Sequence, residues 1–274
     1  MLNKTESTIT NDEWGEIMLG IERRKAIMER LKKDEKVYVR DLARDFKVTE
    51  ETVRRDLERL EKEDLLSRNY GGAVLKAPVA DALSFTRRTF VNSDGKERIA
   101  KKAANLISGS SRIMLDAGTT ALALLTYLKG ERGITVVTNS ARALTLASDG
   151  VITIYSTGGK LKQHALALTG PAAVKTIRGY NADVACIACK GLDLVGGVLE
   201  SDEEEAVIKQ EMLSRAAKKI LLADNTKFDR AAFAVIAPWD TFDMIITDEE
   251  PSTEWKEVFA RHGVELVVAG PEMD

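Results

Sequence analysis

Five segments in the second half of the chain gather glycines, hydroxyls, lysines and carboxylates. They are Asp116-Ala117-Gly118-Thr119-Thr120, Thr138-Asn139-Ser140, Ser156-Thr157-Gly158-Gly159-Lys160, Cys189-Lys190-Gly191-Leu192-Asp193 and Asp224-Asn225-Thr226-Lys227-Phe228. Each follows a short apolar run. Residues of these kinds suit an anionic, hydroxyl-rich ligand. Gly118 lets a phosphate approach the backbone, and Thr119 and Thr120 add hydroxyls beside the free N–H groups of a helix start. Lys190 or Lys227 would supply positive charge, while Asp116, Asn139 and Asp224 would bind hydroxyls. Any one segment is also ordinary turn chemistry. Five together point to a pocket for a phosphorylated polyol.

The same residues admit a second reading, an enzyme acting on a sugar phosphate. Glu203, Glu205 or Asp116 would then be the general base beside the substrate carbon. Against it, the only histidines are His164 and His262, and no catalytic dyad is evident. Cys186 and Cys189 form a C-x-x-C, but positions three apart on a strand point to opposite faces. Tetrahedral zinc needs further ligands, and the chain has no other cysteine. Buried thiol packing is the expectation, with no metal and no cofactor.

The elements that position these segments alternate. From Asp94 onward, helices at Lys96–Ile107, Thr119–Lys129, Ala141–Ser148, Pro171–Ile177, Glu203–Ala217 and Ser252–His262 separate short apolar runs. Those runs are Arg112–Asp116, Ile134–Thr138, Val151–Tyr155, Val184–Ala188, Lys219–Ala223, Met244–Thr247 and Glu265–Val268. This alternation predicts an α/β domain with a mostly parallel sheet covered on both faces. Ligands of such sheets bind beyond the carboxyl ends of the strands, where the five segments fall.

The first part of the chain has a different pattern. Val48 to Leu60 reads as a helix with Val53, Leu57 and Leu60 on one apolar stripe. Thr49 is its N-cap, and Glu50 and Glu51 sit where the helix dipole favours carboxylates. Its other face carries Thr52, Arg55, Glu58, Arg59 and Lys62, with Arg54 at the flank. A short helix, Arg40–Phe46, precedes it across a tight Lys47-Val48-Thr49 connection that lacks the glycine often found there. A helix over Ile21–Lys33 comes earlier, and Leu65–Leu75 reads as two strands around Gly71-Gly72. Three helices and a hairpin make a winged helix-turn-helix, with Arg68, Asn69 and Tyr70 on the wing.

The run Val48 to Leu57, followed by Tyr70-Gly71-Gly72-Ala73-Val74, resembles the DNA-binding domain of the DeoR family of bacterial transcriptional regulators. Asp116–Thr120, Thr138–Ser140, Gly158-Gly159, Glu203 with Lys209 and Met212, and Asp224 with Lys227-Phe228 are similar to that family's sensor domain. The resemblance spans about Ile21 to Val268. It implies a sensor domain like ribose-5-phosphate isomerase, a phosphorylated sugar as effector, and repression of a sugar-catabolism operon. It implies that Thr49, Glu51, Thr52, Arg54, Arg55, Arg59, Arg68, Asn69 and Tyr70 face DNA. The effector set is Asp116, Gly118, Thr119, Thr120, Thr138, Asn139, Ser140, Gly158, Gly159, Lys190, Gly191, Glu203, Asp224 and Lys227. The competing reading is an isomerase-like enzyme with an accessory winged helix.

Composition bounds the partners. The chain has 274 residues, is 44% hydrophobic and carries a net charge of −3. Residues 15–76 hold 16 Lys plus Arg against 14 Asp plus Glu, an excess of +2. Affinity for double-stranded operator DNA must therefore come from where the positive charges point. No apolar run is long enough to span a membrane, and the polar N-terminus and two cysteines fit a cytoplasmic protein. The expected organisation is a disordered arm over 1–14, a DNA-binding domain over 15–76, a linker over 77–93 and an effector domain over 94–274. The linker includes Ser84–Phe90, a short helix or strand docking the two domains; the expectation is a solvated linker, with contact of its arginines to DNA as the alternative. Operator symmetry predicts a homo-oligomer, a dimer or tetramer.

Overall fold

A computed structural model describes residues 20–34, 36–62, 65–69, 71–75, 85–108, 112–128, 132–146 and 152–271. The expected arm over 1–14 and Tyr70 lie outside these residues. The chain forms two compact units, Met1–Pro78 and Val79–Asp274.

The first unit runs α1 (Gly20–Asp34), β1 (Lys36–Tyr38), α2 (Val39–Asp45), α3 (Glu50–Lys62), β2 (Leu66–Asn69) and β3 (Gly72–Leu75). Its core is the apolar stripe of each helix: Ile27 and Leu31 from α1, Leu42 from α2, and Val53, Leu57 and Leu60 from α3 are all buried. Between α2 and α3, Lys47 adopts φ 53°, the left-handed conformation a glycine would hold more easily. The turn therefore has the expected geometry without the expected residue. The hairpin gains a third strand that the sequence did not suggest, because β1 has only three residues; it pairs antiparallel with β3. This explains the second glycine of the pair. Gly71 takes the turn at φ 88°. Gly72 lies in β3, where a Cβ would stand 2.0 Å from the Val37 carbonyl oxygen of β1.

The second unit begins with α4 (Phe85–Phe90) and α5 (Ser93–Leu106), followed by β4 (Arg112–Leu115), α6 (Thr119–Leu128), β5 (Thr135–Thr138), α7 (Ala143–Leu146) and β6 (Thr153–Ser156). It continues with β7 (Lys160–Lys162), β8 (Ala167–Thr169), α8 (Pro171–Arg178), β9 (Ala182–Ala188), β10 (Gly191–Asp193), β11 (Gly197–Glu200) and α9 (Glu203–Ser214). The last elements are β12 (Ala216–Leu222), β13 (Ala234–Ala237), β14 (Met244–Thr247), α10 (Thr253–His262) and β15 (Glu265–Val268). The stretch read as linker thus contains a helix and the start of another; residues 76–84 lie outside the described residues.

Seven parallel strands form one sheet in the order β15-β14-β12-β9-β4-β5-β6. Period-two alternation feeds two cores. Val184 and Cys186 of β9 join Ile99 of α5 and Leu124 of α6 on one face. Ala185 and Ile187 join Ile177 of α8, Ile208 of α9 and Phe259 of α10 on the other. The two thiols also follow this rule: Cys186 and Cys189 are free, buried, and in opposite cores. Burial pushes both thiols up to about 12, so neither is a nucleophile near neutral pH.

Some elements differ from expectation. Ala216 and Ala217 belong to β12, not to α9, because pairing with β9 overrides their helical propensity. The antiparallel sheet β10-β11-β13 and the hairpin β7-β8 were not anticipated, since their strands have three or four residues. No described helix is long and apolar enough to cross a membrane.

Candidate functional site

The order of the sheet reverses at β4. The chain moves outward from β4 to β5 and β6, then returns to place β9 on the other side of β4. At such a switch point the two connections leave in opposite directions and open a crevice beyond the carboxyl ends. A cavity of ≈ 150 Å³ lies there. Its walls include Gly118, Thr119 and Thr120 at the start of α6, Ala188, Cys189 and Lys190 after β9, and Glu200, Ser201 and Asp202 after β11. Glu205 and Lys209 of α9 and Lys227 and Arg230 after β12 also line it, together with Arg88, Lys96 and His164.

The cavity floor is a buried charge cluster. Lys209 donates to Asp116 Oδ2 at 2.6 Å and to the Ala188 carbonyl at 2.7 Å. Its ammonium also stands 2.9 Å from Glu200 Oε2, an ion pair outside hydrogen-bond geometry. Asp116 Oδ1 accepts the Ala188 N–H at 3.0 Å, so this carboxylate ties β4 to β9. Lys190 lies 3.2 Å from Glu200 Oε1. Burial alone would raise the Glu200 carboxyl; Lys209 and Lys190 overcome it and hold the group down at about 2. Burial would lower the Lys209 ammonium, yet Asp116 and Glu200 raise it. For Lys190 burial wins and the ammonium is lowered, with Glu200 only partly compensating. A carboxylate held as firmly ionised as Glu200 is a poor general base.

The rim is more cationic. The lining holds six Lys and Arg against three Asp and Glu. Lys227 is steered by Asp224, whose oxygens lie 2.9 and 3.0 Å from its Nζ. Asp224 also caps the turn by accepting the Thr226 N–H at 3.1 Å. Phe228 packs edge-on to Trp255 at 5.1 Å and fixes that turn from behind. The first turn of α6 adds backbone N–H groups with no partner inside the helix.

The structure divides the sequence-derived effector residues. Gly118, Thr119, Thr120, Lys190 and Lys227 line the cavity; Asp116 and Asp224 stand directly behind it, holding Lys209 and Lys227. Thr138, Asn139 and Ser140 do not line it. Thr138 Oγ1 accepts the Ser140 N–H, Ser140 Oγ accepts the Ala143 N–H, and Asn139 Nδ2 donates to the Leu168 carbonyl. These residues organise the start of α7 and its link to β8. Gly158 and Gly159 have φ of 61° and 106°, and a Cβ on Gly159 would stand 2.4 Å from the Thr169 carbonyl oxygen. They serve the bend into β7, outside the cavity wall. Gly191 is needed where β10 passes the Arg230 carbonyl, only 1.9 Å from where its Cβ would be. Glu203 is exposed at the first position of α9 and does not line the cavity; the buried glutamates that line it are Glu200 and Glu205. Glu200, Ser201 and Asp202 carried no sequence signal, because β11 has only four residues. Arg88 was missed because its helix looked like a linker.

On the first unit, Thr49 Oγ1 accepts the Thr52 N–H at 3.2 Å, capping α3. Arg54 pairs with Glu50 at 2.6 Å and Arg55 with Glu51 at 3.2 Å, both along the exposed face of α3. Arg59 is exposed on the same helix. Arg68 of β2 is anchored to α3 through Glu61, which accepts from its backbone N–H at 2.9 Å and from Nε at 2.7 Å. Asn69 is in β2, and its side chain lies outside the described residues, as does all of Tyr70. Asp56, on the same helix, points inward instead: its carboxylate receives Arg23 at 2.5 Å and Arg24 at 3.4 Å from α1.

A winged helix-turn-helix on the same chain as an α/β unit with a cationic switch-point cavity defines a DNA-binding transcriptional regulator with a sensor domain. The comparisons agree. Residues 23–79 match the DeoR-like helix-turn-helix domain and residues 91–249 match the DeoR C terminal sensor domain. The chain belongs to the DeoR family of transcriptional regulators. It is 38% identical over 232 residues to YulB, an uncharacterized HTH-type transcriptional regulator of Bacillus subtilis, covering 84% of this chain and 90% of that one. It is 33% identical over 248 residues to the HTH-type transcriptional repressor GlcR of the same organism, covering 90% and 95%. Similarity at 29% identity extends over 250 residues of the glycerol-3-phosphate regulon repressor of Escherichia coli, covering 91% and 99%. Among solved structures it has a distant likeness to ribose 5-phosphate isomerase A from Methanocaldococcus jannaschii, with a TM-score of 0.38, 18% identity and coverage of 50% and 55%. These relatives are named as regulators, and the chain is a regulator rather than an isomerase.

Proposed function

We propose that the protein is a repressor of a sugar-catabolism operon, released from its operator when a phosphorylated sugar occupies the cavity beyond β4 and β9. The observation that carries this reading is the excess of cations in the cavity at the start of α6, on a chain that also bears a DeoR-like helix-turn-helix domain. The N-terminus of α6 would receive the phosphate, assisted by Thr119, Thr120, Lys190 and Lys227. Glu200, Asp202 and Glu205 would accept hydrogen bonds from sugar hydroxyls. The printed names of the relatives, a glycerol-3-phosphate regulon repressor among them, favour a small phosphorylated effector.

In this reading Thr52, Arg54 and Arg55 enter the major groove, with Thr49, Glu51 and Arg59 beside them. Arg68, Asn69 and Tyr70 hold the sugar-phosphate backbone from the wing. Each arginine first exchanges its glutamate for DNA: Arg55 leaves Glu51, and Arg54 leaves Glu50. A two-fold operator would be bound by a homo-oligomer, a dimer or tetramer.

Binding to the DNA upstream of its own gene tests this assignment. Wild-type protein binds that fragment in preference to scrambled DNA, with affinity falling as salt rises. Arg55→Ala weakens specific binding by about 1–3 kcal/mol, as expected for loss of a bidentate base contact. Equal affinity of the variant and the wild type would remove Arg55 from the recognition set. Equal binding to both DNAs would remove the repressor reading.

A further inference from the structure

We propose that Arg88 of α4 is a ligand of the bound anion, and that α4 is the element through which cavity occupancy reaches the DNA-binding unit. This deepens, and rests on, the effector reading above.

Arg88 lines the cavity and lies in α4, the first helix described in the second unit. Its Nε is buried and has no hydrogen-bond partner among the described residues. Its guanidinium instead stands 5.7 Å from the centre of the Phe85 ring. A buried donor without an acceptor is costly, and an anion in the cavity would satisfy it. Arginine suits this role, because its planar fork can hold two phosphate oxygens together. The electrostatic surroundings agree: Arg88 and Lys190 both line the cavity, the charge of Arg88 contributes to lowering the Lys190 ammonium, and an anion bound there would relieve that repulsion.

Two further attachments of α4 are also in the cavity wall. The Phe85 N–H donates to the carbonyl of His164 at 2.8 Å, and Phe85 itself is buried. Lys96 donates its ammonium to the carbonyls of Arg88 and Val91, closing the far end of α4. His164 and Lys96 both line the cavity. A ligand that meets Arg88, Lys96 and His164 therefore meets a side chain of α4 and two of the groups that anchor it. That helix is the first one described after Pro78, where the N-terminal unit ends. The covalent connection to the winged helix therefore enters the second unit through α4. The coupling exists only if the anion binds more tightly to one placement of α4 than to the other.

The test separates ligand binding from transmission. Wild type, Arg88→Met and Arg88→Lys are titrated by calorimetry with inorganic phosphate, glycerol 3-phosphate, ribose 5-phosphate, fructose 1-phosphate and glucose 6-phosphate. Operator affinity is then measured with and without a saturating amount of the tightest binder. The wild-type ratio of operator Kd values is expected to be about 5–150. For Arg88→Met the compound binds about tenfold or more weakly, and the ratio at saturation falls to about 1. Arg88→Lys recovers part of the affinity and part of the ratio. An Arg88→Met ratio equal to wild type at saturation would overturn transmission through α4 while leaving the cavity reading in place. Unchanged affinity in Arg88→Met would overturn Arg88 as a ligand. If the wild type binds none of the five compounds, the effector reading falls and this inference with it.

Discussion

Lys209→Met is expected to destabilise the second unit by about 3–5 kcal/mol, a large part of the stability of an ordinary domain. Lys209 is 4% exposed and is the shared cation of Asp116 and Glu200, which are 1% and 0% exposed. Methionine fills similar space but leaves Asp116 with one partner fewer and Glu200 with only Lys190 as a cation. The pH dependence follows from Glu200. Its folded carboxyl is depressed from 4.5 to about 2, so its stabilisation is fully present above pH 4.5 and disappears as the pH falls toward 2. Urea unfolding at pH 7 and at stepwise lower pH checks both points. The wild type loses stability through that window, and the variant, with Glu200 less depressed, loses less. A variant as stable as wild type at pH 7 would mean that Lys209 is dispensable to the fold.

The second large effect is in the DNA-binding unit. Asp56→Ala is expected to cost about 3 kcal/mol, the lower end for breaking a buried ion pair. Asp56 stands in the midst of the recognition-helix arginines, yet it is 5% exposed and points at α1. Removing it takes the carboxylate from Arg23 and Arg24 and loosens α3 against α1. Thermal unfolding would show an earlier transition, and operator binding would fail at temperatures the wild type tolerates. Asp56→Asn, which keeps the shape and the acceptor oxygen, would recover part of the loss. Loss of operator binding by Asp56→Ala without any loss of stability would assign Asp56 to the DNA surface instead.

The two variants mark where the sequence was informative. Long-range periodicity was legible: the stripe Val53, Leu57, Leu60 and the alternating runs around β9 produced the recognition helix and the parallel sheet. Strand-end chemistry was legible as well, since Gly118, Thr119, Thr120, Lys190 and Lys227 reach one cavity. Short strands were not. With β11 unseen, the sequence assigned Glu200 no role, while Glu203, named through the resemblance, is exposed at the start of α9. Composition cannot distinguish a capping Ser140 from a ligand-binding one, because both uses require the same hydroxyl. Nor can it show that a polar residue on a polar helix, such as Asp56, faces inward, because that depends on Arg23 from a helix more than thirty residues away.

Fluorescence anisotropy tests the central claim most directly. Purified protein is titrated onto its upstream DNA at two salt concentrations, alone and with each phosphorylated sugar or its unphosphorylated parent. The account predicts that one phosphorylated compound weakens specific binding and that its parent sugar does not, because the cations around α6 recognise the phosphate. Specific binding that no phosphorylated compound alters, or that the parent sugar relieves equally well, would contradict it.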